Sequence, residues 1–224
     1  MNDRVKYLLK LVVPMFLISC VTIHLASPLL FAICFVLIYM IGCNTILHRY
    51  WAHRQMKMYG WAEKLFSVVS LFALVGDPIS FSKTHRWHHR YADSAYDVHR
   101  PDLGFFESFV GWQFKQFDPP LTSVKDLLRQ KYLLTLAKHQ VKIVWVGVLL
   151  SFLYPPLGAS LVLTMVLSWF LEMLTNYIAH DRDGAKDVKW LAWLSSGPYH
   201  RFHHDHPSDI GRNPIVRIFI KLFS

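Results

Sequence analysis

Apolar residues in this chain come in long unbroken runs, not in the alternation of a strand or the narrow stripe of a surface helix. Leu8 to Ala26 is the first run and Leu29 to Leu47 the second, with little more than Ser27-Pro28 between them. A third enters from about Lys138, runs from Ile143 to Tyr154 and meets Pro155-Pro156-Leu157-Gly158; Ala159 to Ala179 is the fourth. An α-helix rises ~1.5 Å per residue, so roughly 20 apolar residues cross ~30 Å of hydrocarbon. The runs predict four transmembrane helices joined as two hairpins. A weaker stretch, Leu65 to Val75, is too short to span and reads as interfacial or buried against the others.

Four crossings return the chain to its starting side, which puts both long polar segments on one face. Charge tests this. Residues 1–10 hold three Lys or Arg, residues 49–142 hold fourteen and residues 181–224 hold seven, which is all twenty-four in the chain. The two predicted outer turns hold none, a positive-inside signal that assigns the polar segments to the cytoplasm. The same distribution explains the net charge of +9 without nucleic acid as a partner. At 53% hydrophobic residues and a mean hydropathy of +0.26, an ordinary soluble domain is excluded. Eight Trp suit a membrane interface. No internal repeat, low-complexity tract or linker divides the chain, so one domain over 1–224 is expected, and no small-residue cleavage site marks a signal peptide. Cys20, Cys34 and Cys43 lie in apolar runs without a CxxC pair and read as buried, reduced thiols.

The chemistry lies in the histidines. His48-Arg-Tyr-Trp-Ala-His53, His85-Arg-Trp-His88-His89 and His200-Arg-Phe-His203-His204 are three tight clusters, and His180 follows Asn176 by four residues at the end of the fourth run. All fall in or beside the polar segments. Spacings of i, i+3 and i+4 put His85, His88 and His89 on one helix face, and His200, His203 and His204 likewise. Two such trios facing each other would surround a pair of metal ions. His48 and His53 stand about 140° apart on an ideal helix and can share one cluster only if the helix end deforms or a second metal is present. Glu172, Asn176 and His180 form one helical stripe that leads from the span toward the clusters. Imidazole binds iron, zinc, copper and nickel alike, so spacing does not choose the metal. A closed structural zinc site would need only four ligands, and no Cys is near. The Glu-x-x-His pairs of soluble helical di-iron proteins are absent. His24 and His139 read as structural, His99 and His206 as candidates to support the ligands.

With its His-x4-His, two His-x2-His-His boxes and Asn-x3-His in this order, the chain resembles the membrane fatty acid desaturases, and most closely the stearoyl-CoA (delta-9) branch. The segment Asp97-Val-His99-Arg-Pro-Asp-Leu-Gly104-Phe105-Phe106 with Val110-Gly111-Trp112 is also similar. The resemblance implies an all-α membrane protein of four transmembrane helices with a cytosolic, histidine-rich helical cap. It implies two iron ions held by His48, His53, His85, His88, His89, His180, His200, His203 and His204, with Asn176 acting through water. It implies a cis double bond, delta-9 in placement, made with dioxygen in an acyl chain carried by CoA or a lipid. Electrons would come from an external donor such as cytochrome b5 or a ferredoxin. No electron-carrying segment is visible in the chain, and its compactness leans toward a bacterial inner membrane over the endoplasmic reticulum.

This chain also departs from that pattern. Lys83-Thr84 stand where acyl-CoA members carry Arg-Asp, Ser195-Ser196-Gly197-Pro198-Tyr199 precede the third box, and Arg201 follows His200. The chain stops about twenty residues after its last cluster. The carrier group is therefore open between CoA, a glycerolipid and a carrier protein. Glu172 stands where the family tends to have a small polar residue; it is expected to contact the metal site, directly or behind a ligand, to line the tunnel as a protonated acid for a more polar substrate, or to pair with His24 or another polar neighbour. A related histidine-box hydroxylase or oxygenase acting on alkyl, sterol or carotenoid substrates is the alternative enzyme. A non-enzymatic metal transporter would need ligands strung along the spans.

Overall fold

A computed structural model describes residues 2–115, 118–181, 184–188, 200–210 and 214–223. Among the described residues four helices are long and apolar enough to cross a membrane: α1 (Asp3–Leu25), α2 (Pro28–Ala52), and, further along, Lys131–Ser151 and Pro155–Ile178. Between α2 and the third of these lie α3 (Gly60–Ala73), α4 (Pro78–Tyr91) and the short α5 (Phe105–Phe109). The third and fourth long helices are α6 and α7. After α7 the chain makes a two-residue antiparallel pair, β1 (His180–Asp181) with β2 (Gly184–Ala185), then α8 (His200–Asp205) and α9 (Pro214–Phe223). The expected all-α description therefore needs one correction: His180 begins a β-pair two residues past the end of α7, so only Glu172 and Asn176 share the helical stripe. The run before the third box, 195–199, lies outside the described residues.

The long helices extend beyond the apolar runs because polar ends also satisfy their backbone internally. Helix α6 starts at Lys131, well before Ile143, and stops at Ser151, short of Tyr154. Prolines at the first helical turn start α2, α4 and α7, where a missing N–H costs nothing. The turn between α1 and α2 is tied to α7: Ser27 N–H donates to Ser160 Oγ at 3.0 Å, and that hydroxyl donates back to Ser27 O at 3.2 Å. Leu9, Phe16, Leu17, Val21, Leu149 and Leu150 remain exposed on the spans, as lipid-facing positions should be. Cys20 is on this outer surface and not buried as expected; Cys34 and Cys43 are buried.

Helix α2 is the centre of the protein. Every residue from Ile38 to Ala52 is buried, and from Val36 onward the helix is wound with i→i+5 hydrogen bonds. Such winding is rare and usually confined to one turn at functional sites. Gly42 permits the packing of α3 on α2, because a Cβ there would sit 3.1 Å from the Ser70 Cα. The weak apolar stretch around residues 65–75 is thus buried against α2: Phe66, Leu71, Ala73 and Leu74 are all in the core. The chain then turns by 74° into α4. Leu74 and Gly76 adopt positive φ (60° and 111°) in this turn. Asp77 caps α4, accepting from Ile79 N–H at 2.8 Å and Ser80 N–H at 3.2 Å while its own N–H donates to Ser80 Oγ. This capped bend aims the second histidine cluster back at the end of α2.

Candidate metal centre

Helix α2 delivers His48 and, just beyond its end, His53. The i→i+5 winding continues to the terminus, where His53 N–H donates to His48 O at 3.1 Å. Residues five apart then fall near one face, and the two rings lie 5.0 Å apart. The ~140° separation of an ideal helix does not apply, and the helix-end deformation that a shared cluster requires is present. Arg86, inside the second cluster, fastens this end. Its guanidinium donates to Trp51 O and Ala52 O, each at 2.8 Å, and to both carboxylate oxygens of Asp126. Burial alone would raise the Asp126 carboxyl, but Arg86 and Arg54 outweigh it and hold it well below the usual carboxylate range.

Nine histidines converge in two groups. His48, His53, His85, His89 and His203 form one; His88, His180, His200 and His204 form the other; within each group the ligand atoms lie within 4.8 Å of one another. The clusters interleave. Helix α4 sends His85 and His89 to the first group and His88 to the second, whereas α8 sends His203 to the first and His200 and His204 to the second. Stacked rings of His89 and His204, 4.1 Å apart, form the seam. In the first group His48 Nε2 lies 2.8 Å from His203 Nε2, which is 3.1 Å from His53 Nε2, which is 2.8 Å from His85 Nε2. In the second, His180 and His200 Nε2 are 2.9 Å apart.

These contacts test whether the site suits a metal. Each neutral imidazole has one N–H and one lone pair. A chain of facing Nε2 atoms must share too few hydrogens, and the buried Nε2 atoms of His89 and His204 have no hydrogen-bond partner. A cation in each group would satisfy the inward lone pairs. At metal–nitrogen distances of ~2.0–2.1 Å, ligand atoms lie no more than about 4.2 Å apart, close to the observed spread. The donor set fits.

Carboxylates fix two of the rings from behind. His88 Nδ1 is 2.9 Å from Asp97 Oδ2, and His180 Nδ1 is 3.0 Å from Asp93 Oδ1. A proton on Nδ1 leaves Nε2 bare and aimed inward. Asp97 also approaches the buried His99, whose Nδ1 is 3.7 Å from Oδ1. Counting histidine spacings missed Asp93 and Asp97; the signal available was two acids four apart immediately after the second cluster. Of the supporting candidates, His99 is at the site, with its ring 4.4 Å from that of His88. His206 is exposed and rests on Phe202.

Burial keeps these rings neutral. It is the main cause that pushes His53 and His204 down to about 3 and His203 to about 2, with Arg49 or neighbouring rings adding to it. His85, His88, His89, His99 and His200 are lowered for the same first reason. The pH dependence follows. As pH falls below the ordinary 6.5, the unfolded chain takes up protons that the folded chain refuses. Stability is complete above about 6.5 and is lost progressively toward about 3. The melting temperature of metal-free protein in detergent should decline steadily through this window; a flat profile from pH 7 to pH 4 would mean that the rings are solvated.

A cavity of about 710 Å³ reaches the first group at His85 and is lined also by His99, Asn176, Glu172 and Met173. Asn176 therefore lies where the cavity meets the histidines. Glu172 does not pair with His24, which is exposed at the far end of α1; its Oε2 accepts from Cys43 Sγ at 3.6 Å. Lys6, Lys10, Lys83 and Lys138 also line the cavity.

The fold and site define a class: a helical protein with four membrane-length spans and paired histidine clusters able to bind metal. The description "Fatty acid desaturase" matches residues 26–220. Delta-9 acyl-lipid desaturase 1 of Arabidopsis thaliana is 32% identical over 185 residues, 73% of this chain and 59% of that protein. Acyl-CoA C20 Delta5-desaturase of Anemone leveillei is 30% identical over 192 residues, 78% of this chain and 60% of that protein. Delta-9 acyl-lipid desaturase 2 of Arabidopsis thaliana is 31% identical, covering 73% and 59%. The chain belongs to the fatty acid desaturase family, and it spans about 60% of the length of these relatives.

Proposed function

We propose that this protein is a di-iron acyl desaturase that places a cis double bond, delta-9 in position, in an acyl chain. The observation that carries the reading is two histidine groups, with ligand atoms within 4.8 Å in each, the first of them reached at His85 by a cavity of about 710 Å³. That volume is of the size that encloses one small-molecule ligand. The nine histidines would hold two iron ions, with Asn176 contributing through water. When bound, the metal pair would supply the oxidation by dioxygen: two hydrogens from the chain, two electrons from the donor and two protons from solvent turn one O2 into two waters. The protein's share is orientation and exclusion. Leu74, Val75, Phe81 and Trp169 line the cavity and would bury methylenes at ~0.8 kcal/mol each. Asp93 and Asp97 hold the ring tautomers.

Lys10 and Lys138 line the cavity, both are exposed, and neither has an ion pair among the described residues. They suit the phosphate of an acyl-CoA or acyl-lipid carrier, whereas Lys83, ion-paired with Asp118, replaces an arginine of acyl-CoA members. The positive-inside pattern supports a cytoplasmic histidine face, open to an electron donor such as cytochrome b5 or a ferredoxin.

The test is the fatty-acid profile of a host expressing this chain, with double-bond localisation, against a His88→Ala/His203→Ala control. A new monounsaturated acid that vanishes in the control is expected. Hydroxylated acids instead would move the protein to the oxygen-inserting enzymes of the histidine-box group.

A further inference from the structure

Removing hydrogen from a plain alkyl chain gives no use to an acid in the cavity wall, yet Glu172 stands there. It precedes Asn176 by four residues in α7, so its side chain lies on the same face one turn, about 5–6 Å, further from the histidines. It lines a cavity whose wall carries Leu74, Val75, Phe81, Trp169 and Met173 and also the polar Tyr7, Gln113, Gln140 and Asn176. Among the described residues no Lys, Arg or His pairs with it, and its one hydrogen-bond partner is the Cys43 thiol at 3.6 Å. A thiol is a weak donor, and a carboxylate has about four acceptor positions. Most of them are unused. Placed beside a methylene chain, the carboxyl would stay desolvated and unsatisfied, which is unfavourable for binding. A leucine would serve such a chain better.

Building on the acyl desaturase reading of this cavity, we infer that its preferred substrate is an acyl chain carrying a hydroxyl group close to the carbons that meet the histidines, with the Glu172 carboxyl as the hydroxyl's hydrogen-bond partner. A hydroxyl both donates and accepts, so it satisfies the acid in either protonation state. An ammonium group would bring a second charge into the span, at greater cost. Glu172 is thus a specificity-determining residue for a polar-substituted chain, and the thiol of Cys43 steadies its carboxyl from behind.

The experiment measures binding of octadecanoyl chains to purified protein. One ligand is the plain chain. The others are hydroxyoctadecanoyl chains with the hydroxyl walked along the chain, and all are presented on CoA and on phosphatidylcholine. One position, or two adjacent ones, should bind at least ~10-fold more tightly than the plain chain, because sites built to bond a hydroxyl reject analogues that lack it. Glu172→Leu should abolish that preference and bind the plain chain at least as well as wild type. Glu172→Gln, which keeps the shape and an acceptor, should retain part of the preference and guards against a folding defect in the leucine variant. Equal binding of plain and hydroxylated chains by the wild type, or a preference that survives in Glu172→Leu, overturns the inference and leaves the desaturase reading intact. Failure of every chain on either carrier to bind overturns both.

Discussion

Replacing His203 with alanine is expected to remove the unsaturated product completely and to strip metal from the protein. His203 is buried on α8, and its Nε2 is the link between His48 at 2.8 Å and His53 at 3.1 Å. Its loss leaves the α2 and α4 histidines without the ligand that closes their group from the opposite side. Loss of supporting partners behind a ligand typically weakens metal binding by ~10–100-fold; loss of a ligand itself should exceed ~100-fold. Metal content by elemental analysis and product by gas chromatography check this. His139→Ala, in α6 and outside both groups, should match wild type on both counts. Product above a tenth of wild type in His203→Ala would show that the first group does not serve the reaction.

Asp97→Ala is expected to have the next largest effect, although Asp97 belongs to neither the five-histidine nor the four-histidine group. Its buried carboxylate meets His88 Nδ1 at 2.9 Å and accepts from the backbone N–H groups of Asp93 at 3.1 Å and His99 at 3.3 Å. Alanine would free the His88 ring and leave buried donors without acceptors, each costing about 1–3 kcal/mol. Metal affinity should fall ~10–100-fold. The loop that carries Asp93 should loosen too, and with it the hold on His180. Asp97→Asn keeps an acceptor in place and should fall between alanine and wild type. Asp181→Ala, at a carboxylate that meets Lys186 near the surface, should leave metal affinity unchanged. Metal titration of the three variants decides the matter: equal affinities for Asp97→Ala and wild type would mean that the ring orientations are set by packing alone.

These two predictions rest on different kinds of legibility. His203 was visible in the chain as part of a repeated i, i+3, i+4 spacing, and local spacing survives folding because a helix preserves it. Asp97 was visible only as an acid near a histidine. Its role depends on a turn after α4 that brings residue 97 back to residue 88, and no periodic pattern encodes that turn. The same holds for His53. Read on an ideal helix it pointed away from His48; the i→i+5 winding of α2 brought it round, and that winding belongs to a helix packed on all sides.

Composition and period determined the four membrane-length helices and the three histidine clusters, because hydrophobicity and helical repeat act over one or two turns of chain. Tertiary structure alone decided how nine rings divide into groups of five and four, since α4 and α8 each feed both groups and only their approach sorts the rings. It also decided that Glu172 meets Cys43, 129 residues away in sequence, in the wall of a cavity lined from α1, α4, α6 and α7. Contacts of that range are set by packing, and the order of residues along the chain does not contain them in any local form.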